Sequence, residues 1–471
     1  MTTIATRPVF AAGIIAAFAG LVWAIVPAEA PVRFTLAIFG ATVILWIATR
    51  YDRTAIGLGA ALLLVLVGVL PARNLYATLG QSLIWLLIGA FIIASVLTEI
   101  RLAERLARLV LRPARNVSRL FYGMTWLIAG TAFMIPSTTG RAAFLLPVFL
   151  TLASSIANRA VTRAMSVHIP VIILLSAAGS LIGAGAHLVA VDLMRDTDGT
   201  TIGFAQWVML ALPFALAMCM AATFVVLRLF LSPEDRALRL DNLADLEAPP
   251  LGGREKFILA IVAITIGMWL THLLHGIDVA IVTLVAALVV MLASPSGKSI
   301  KESVLAIDWN LILFVAAASA IGEALVVANV AGAVTDGLTN GTALSATHPA
   351  VVVAFIAVIA SLGHLLITSR TARAVALIPL LAFPAAAFGY ETKALIFLTV
   401  IATGYCLTLT VSAKSLIVYS GASTDSFSHA DLLRLSSVLF PLHLVLIVIF
   451  ALYVWPWLGL PLQIAPTAGA S

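Results

Sequence analysis

Charge and cysteine are what this chain has least of. Of its 471 residues only 10% are charged, against about a quarter in ordinary soluble domains, so a water-exposed globular surface is excluded. Only two cysteines occur, Cys219 and Cys406, both inside apolar stretches, which excludes a disulfide framework and a cysteine metal cluster. A Gly-x-x-x-x-Gly-Lys-Ser/Thr phosphate loop is also missing, so this chain holds no ATP-driven pump. Abundant instead are apolar residues, at 62%, with a mean hydropathy of +1.12. These values imply an all-α polytopic membrane protein. The net charge of +6 reports topology rather than a nucleic-acid partner, because the basic residues fall in short loops between apolar runs.

Eleven runs have the length and composition to cross a bilayer: 9–27, 34–49, 54–71, 82–99, 166–193, 203–230, 257–275, 279–294, 309–328, 393–420 and 436–457. The first is read as a membrane helix rather than a cleavable signal, since its apolar stretch outruns a signal core and Pro31 would follow the cleavage point. Trp23, Trp46, Trp207, Trp455 and Trp457 lie near segment ends and are expected as interface anchors. Two further stretches, 120–158 and 347–390, are long enough for a descent and a return. Arginines flank the first of them on both sides (Arg101, Arg105, Arg108, Arg112, Arg115 and Arg119 before it, Arg159 and Arg163 after it), so both its ends belong to the cytoplasmic face. The stretch must therefore be a re-entrant hairpin.

Extending this rule along the chain places the N-terminus inside, the C-terminus outside and the second hairpin opposite to the first. Only Arg33, Arg73, Arg195 and Lys393 then fall outside, while Arg141, Arg370, Arg373 and Lys414 remain at membrane depth. The predicted organisation is N-terminal helices over 1–53, a first repeat over 54–230 with its hairpin tip near 136–140, and a cytoplasmic linker over 231–256. A second, inverted repeat over 257–460 has its tip near 368–372, and a tail covers 461–471. Segment 101–119, with Leu and Val at helical spacing among arginines, reads as an amphipathic helix on the inner surface.

The two tips repeat each other. Pro136-Ser-Thr-Thr-Gly-Arg-Ala-Ala-Phe-Leu-Leu-Pro147 returns as Thr368-Ser-Arg-Thr-Ala-Arg-Ala-Val-Ala-Leu-Ile-Pro379, so that Ser137, Thr139, Arg141 and Pro147 recur at one constant offset as Ser369, Thr371, Arg373 and Pro379. Lipid tolerates neither hydroxyls nor guanidinium groups, so both tips are expected to face a hydrated, cationic cavity lined by protein. Each tip precedes a helix, whose N-terminus adds unpaired N–H donors and a positive end. Such a site suits a small anion. The expected substrate residues are Ser137, Thr138, Thr139, Arg141, Ser369, Arg370, Thr371 and Arg373, with struts to hairpin carbonyls as the alternative role for Arg141 and Arg373. Ser180, His187, Glu323, Ser412, Lys414 and Ser415 are expected in coupling or supporting positions. His187 is either a proton site or bonded to a carbonyl, and Glu323 either a counter-ion or a proton site.

On these residues the chain resembles the divalent anion:sodium symporter family, whose tips read Ser-Asn-Thr followed by a short apolar run closing on Pro. Trp85-Leu-Leu-Ile-Gly-Ala-Phe-Ile-Ile-Ala94, Arg101-Leu-Ala-Glu-Arg-Leu-Ala107, Ile307-Asp-Trp-Asn310 and Ser176-Ala-Ala-Gly-Ser-Leu-Ile-Gly183 extend the likeness over most of the chain. The resemblance implies a secondary transporter of C4-dicarboxylate-like anions working as a homodimer, with scaffold and transport parts, and no cofactor or bound metal beyond coupling sodium. The sequence departs from the family at the ion positions. The tip Asn becomes Thr138 and Arg370, and Thr-Pro-Pro-Asn becomes Ala184-Gly185-Ala186-His187 and Ser412-Ala413-Lys414-Ser415. Fixed cations at these points repel sodium, which predicts sodium-independent exchange or proton coupling. Sulfate or organosulfonate transport and sodium-coupled dicarboxylate symport are the alternatives. An intramembrane enzyme built on Ser369 is the remote one, because no acidic orienter or nucleophile elbow accompanies that serine.

Overall fold

A computed structural model of the protein describes residues 6–26, 28–111, 113–240, 251–297, 299–333, 348–386 and 388–463. Arg112, the core of the expected linker (241–250) and most of the tail (464–471) lie outside the described residues. The regular elements are helices: α1 Thr6–Ile25, α2 Ala30–Ala48, α3 Arg53–Leu66, α4 Ala72–Thr78, α5 Ser82–Glu99, α6 Leu102–Leu111, α7 Val117–Gly130, α8 Thr138–Ile156, α9 Arg159–Ser176, α10 Gly185–Asp198 and α11 Phe204–Phe230. They continue as α12 Pro233–Ala237, α13 Gly253–Leu270, α14 His272–His275, α15 Val279–Leu292, α16 Ile300–Leu305, α17 Trp309–Val327, α18 Pro349–Leu362, α19 Arg370–Ala386, α20 Thr392–Ala402, α21 Lys414–Ser420 and α22 His429–Ile449. Every apolar run marked in the sequence contains a helix. Short polar residues start them: Asp52 accepts from Ala55 N at 2.9 Å, Asp278 from Ala280 N at 2.7 Å and Asn116 from Arg119 N at 3.0 Å.

The internal repeat reaches well beyond the short stretch that betrays it in sequence. Helices α7 and α18 are both 14 residues long, and each runs into a three-residue 3₁₀ turn (Thr131–Phe133 and Gly363–Leu365) before an irregular tip. Both arms start and stop at the same sequence offset as the tips that follow them. At 1.5 Å per residue each covers about 21 Å, short of the roughly 30 Å hydrocarbon core, so the chain turns back at membrane depth. The helix after each hairpin then breaks. Between α9 and α10 the backbone is extended at Ser180 (φ −126°, ψ 137°) and Ala184 (φ −157°, ψ 145°), and before α21 the same pair of conformations recurs at Leu409 (φ −117°, ψ 138°) and Ala413 (φ −151°, ψ 140°).

The halves interlock by exchanging equivalent helices. Helix α3 packs on α17 of the other half, and α15, its counterpart, packs on α5; likewise α10 packs on α19 and α20, while α21 packs on α8 and α9. Small residues permit the close crossings. A Cβ on Gly89 of α5 would lie 2.9 Å from Cγ2 of Thr283 on α15, closer than real carbon contacts allow. Leu62, Leu63, Leu66, Trp126, Phe224, Ile264, Ile281, Leu288 and Phe355 are exposed, as lipid-facing side chains should be.

Two sequence expectations are corrected here. Trp46, Trp207 and Trp455 are not interface anchors but buried side chains whose indole N–H groups donate to the carbonyls of Arg53 (3.2 Å), Ala178 (3.0 Å) and Leu210 (3.0 Å); Trp23 and Trp457 are exposed. The amphipathic segment is not one helix: Leu102–Leu111 is helical, residues 117–119 belong to α7, and Arg101 before them has φ 51°. Arg105 on this helix grips Glu255 at the start of α13 with two bonds of 2.7 Å, tying the first half to the second.

Candidate functional site: a cationic cavity between two hairpin tips

Each tip is built by its serine. Ser137 Oγ accepts from Gly140 N at 3.1 Å and Ser369 Oγ from Ala372 N at 3.3 Å, while their carbonyls accept from Arg141 N and Arg373 N at 2.8 and 3.0 Å. The caps start α8 and α19, whose remaining first-turn N–H groups lack intrahelical partners. Both tips line one cavity of about 580 Å³, together with the N-terminal ends of α3 and α17 and the breaks before α10 and α21. Ser137, Thr138, Thr139, Ser369, Arg370, Thr371, Arg373, Ser412 and Lys414 contribute to its wall. Five cationic side chains line it (Arg50, Arg53, Arg370, Arg373 and Lys414), against two carboxylates, Asp52 and Asp308. Both carboxylates already accept from backbone, capping α3 and α17 through Ala55 N (2.9 Å) and Leu311 N (3.1 Å).

The buried arginines divide their labour. Arg141, expected at the substrate, does not line the cavity. Its guanidinium donates to the Thr131 hydroxyl (2.9 Å), the Ile173 carbonyl (2.9 Å), the Ile128 carbonyl (2.6 Å) and the Ser176 hydroxyl (2.7 Å), bracing the first hairpin against the end of α9. The strut reading therefore describes Arg141, because helix ends leave carbonyls that a buried fork can satisfy. Arg373 combines both situations: it braces the second tip through the Ile367 and Thr403 carbonyls (3.0 and 2.9 Å), yet it lines the cavity and its Nε has no partner among the described residues.

Arg370 has the fewest partners of the three tip arginines among the described residues. One nitrogen, Nη2, lies 2.9 Å from His187 Nε2, while Nε and Nη1 are buried without partners among the described residues. Room for it depends on Gly404, where a Cβ would lie 2.6 Å from Nη2. Among the described residues neither Arg370 nor Arg373 is ion-paired. Burying unpaired donors of this kind is costly, and an anion accepting from them offsets that cost.

His187, Ser180, Ser415 and Glu323 stand apart from the cavity wall. His187 is fully buried behind Arg370. Ser180 and Ser415 are buried, and their hydroxyls have no partner among the described residues. Glu323 accepts from the Asn74 amide of α4 and is not a counter-ion to the site arginines, since it sits toward the opposite end of α17 from Asn310, which lines the cavity. Lys414 is exposed at the first residue of α21, not enclosed in an apolar helix. Sequence reasoning misses Arg53, which the charge rule assigns to a cytoplasmic loop. Arg53 opens α3 and donates through Nη2 to the Thr368 hydroxyl of the second tip. Its neighbour Thr54 donates to the Asn310 side chain of α17. The only hint is position: Arg53 directly precedes an apolar run.

Two hairpin tips and two broken helices meeting at one cationic cavity inside an apolar helical shell define a secondary transporter. The chain belongs to the sodium:sulfate symporter family, whose transmembrane region matches residues 11–461, and it is an integral multi-pass membrane protein. A membrane protein of Cupriavidus necator is 25% identical over 457 residues, covering 90% of this chain and 87% of its own length. The sodium-dependent dicarboxylate transporter SdcS of Staphylococcus saprophyticus is 24% identical over 462 residues, covering 89% and 85%. The fold is shared with the YdaH transporter of Alcanivorax borkumensis (TM-score 0.56, 14% identity, 83% of this chain and 90% of that one). It is shared too with MtrF of Neisseria gonorrhoeae (TM-score 0.58, 12% identity, 94% and 98%).

Proposed function

We propose that this transporter carries small divalent organic anions of the C4-dicarboxylate class by alternating access, with fixed cations doing the charge compensation that sodium would otherwise provide. The observation that carries this reading is the Arg370 guanidinium, lodged at the second tip with two nitrogens unpartnered among the described residues, in a cavity whose charges are mostly cationic. Guanidinium and hydroxyl donors bind carboxylates in pairs of charge-assisted bonds. Arg53 and Arg373 stand beside Arg370 in the wall, and the first tip supplies hydroxyls and helix-end N–H groups opposite. A cavity with permanent cations keeps its charge when empty. Crossing the membrane empty is then unfavourable, which favours exchange of one anion for another, or return with a proton.

The dicarboxylate class draws support from the staphylococcal relative, whose name also states sodium dependence and so marks the competing reading. In the orientation given by the positive-inside rule, with the N-terminus cytoplasmic in a bacterial inner membrane, the starts of α3 and α17 lie inward and this conformation opens to the cytoplasm. A homodimer completes the proposal. The test is counterflow: in proteoliposomes preloaded with succinate, the internal succinate should accelerate uptake of labelled external succinate, and sulfate and organosulfonates should compete poorly. Preferential exchange of sulfate would reassign the substrate to the inorganic or sulfonated class.

A further inference from the structure

We infer that His187 is a positioning residue, an uncharged imidazole from the first half that aims the second half's Arg370 at the anion. The hydrogen bonds assign its tautomer. His187 Nδ1 lies 2.9 Å from the Ser180 carbonyl, which can only accept, so Nδ1 carries the proton. Nε2 is then left as an acceptor, and the group 2.9 Å away, Arg370 Nη2, can only donate. Both ring nitrogens are thereby used, and a second proton on the ring would leave Arg370 without an acceptor and place two cations in contact.

The ring is held as well as bonded. It is fully buried and stacks on Trp207 (centroids 4.8 Å apart, planes at 34°), whose indole N–H donates to the Ala178 carbonyl in the same helix break. The break between α9 and α10 thus fixes the imidazole, and the imidazole fixes one edge of the guanidinium in the wall of the cavity that Arg370 lines, where Nε and Nη1 are buried without partners among the described residues. Gly404 keeps the other side open for Nη2. This arrangement makes the two halves of the repeat unequal: Thr138, the counterpart of Arg370 in the first tip, has no guanidinium to aim, and the matching backbone at Ala184 and Ala413 puts Leu416, one residue past the Ser415 that the motif alignment pairs with His187, in the imidazole's place, where it offers no acceptor.

The inference rests on the cavity being an anion site, and the experiment separates the two. Succinate binding to the purified full chain is measured by calorimetry for the wild type, His187→Ala, His187→Gln, Arg370→Ala and the double variant His187→Ala with Arg370→Ala, each first checked for an unchanged unfolding temperature. His187→Ala should weaken binding roughly three- to tenfold, less than the loss of a direct contact, because the guanidinium remains and only its orientation is released. His187→Gln should recover most of it, because the amide can both donate and accept. On the Arg370→Ala background His187→Ala should change nothing further. Equal weakening on both backgrounds, or none on the wild type, overturns the positioning role alone. Failure of the wild type to bind succinate or sulfate overturns the anion site itself.

Discussion

Alanine in place of Arg370 is expected to raise the dissociation constant for a divalent anion about 10- to 150-fold while leaving the fold intact, since a hydrogen bond to a charged group is worth about 1.5 to 3 kcal/mol. The guanidinium bonds to no carbonyl and to no carboxylate among the described residues; its single partner there is His187. Removing it therefore frees one imidazole nitrogen and relieves a buried cation rather than breaking a brace. Binding by calorimetry, paired with thermal unfolding in the same detergent, checks both halves of the expectation. Unchanged affinity would make Arg370 a spectator of the cavity it lines, and a collapsed protein would make it a strut.

Arg141→Ala should do the reverse. Four charge-assisted bonds disappear in a fully buried setting, each worth about 1.5 to 3 kcal/mol, and the Ile128 carbonyl and the Thr131 hydroxyl are left with each other (2.6 Å). Lysine should rescue little, because a single ammonium cannot reach across the fork's span. The expected readout is a large drop in unfolding temperature or in monodisperse yield for both variants, with whatever folds still binding the anion near normally. A stable Arg141→Ala protein that no longer binds would place this arginine back in the substrate path.

The contrast between Arg141 and Arg373 marks where sequence stops being informative. Both stand at the same place in their matched stretches, and the repeat predicts a shared task. The shared task proves to be bracing, through carbonyls at Ile128, Ile173, Ile367 and Thr403, and only the second copy also meets the cavity. Acceptors that lie on the next helix leave no trace in a local pattern. Hydrophobic length, by contrast, is local, and it locates the helices; proline, serine and arginine inside apolar runs locate the tips. Arg53 is hidden for a different reason. A charge at the edge of an apolar run is the ordinary mark of a loop, and nothing short of the packing of α3 on α17 shows that this edge faces the second tip. The buried tryptophans mislead in the same way, because an indole near a helix end belongs either to the bilayer interface or to a neighbouring helix, and partners such as Leu210 for Trp455 are set by tertiary contact.

The central claim is that fixed cations stand in for sodium, and uptake into proteoliposomes under separately imposed gradients tests it most directly. Labelled succinate is offered with sodium, potassium or choline outside, with or without an inward proton gradient, and with or without succinate inside. The account predicts equal uptake in all three cations, stimulated by internal succinate or by the proton gradient. Uptake that requires sodium, fails with potassium and choline, and yields a measurable sodium stoichiometry would contradict it.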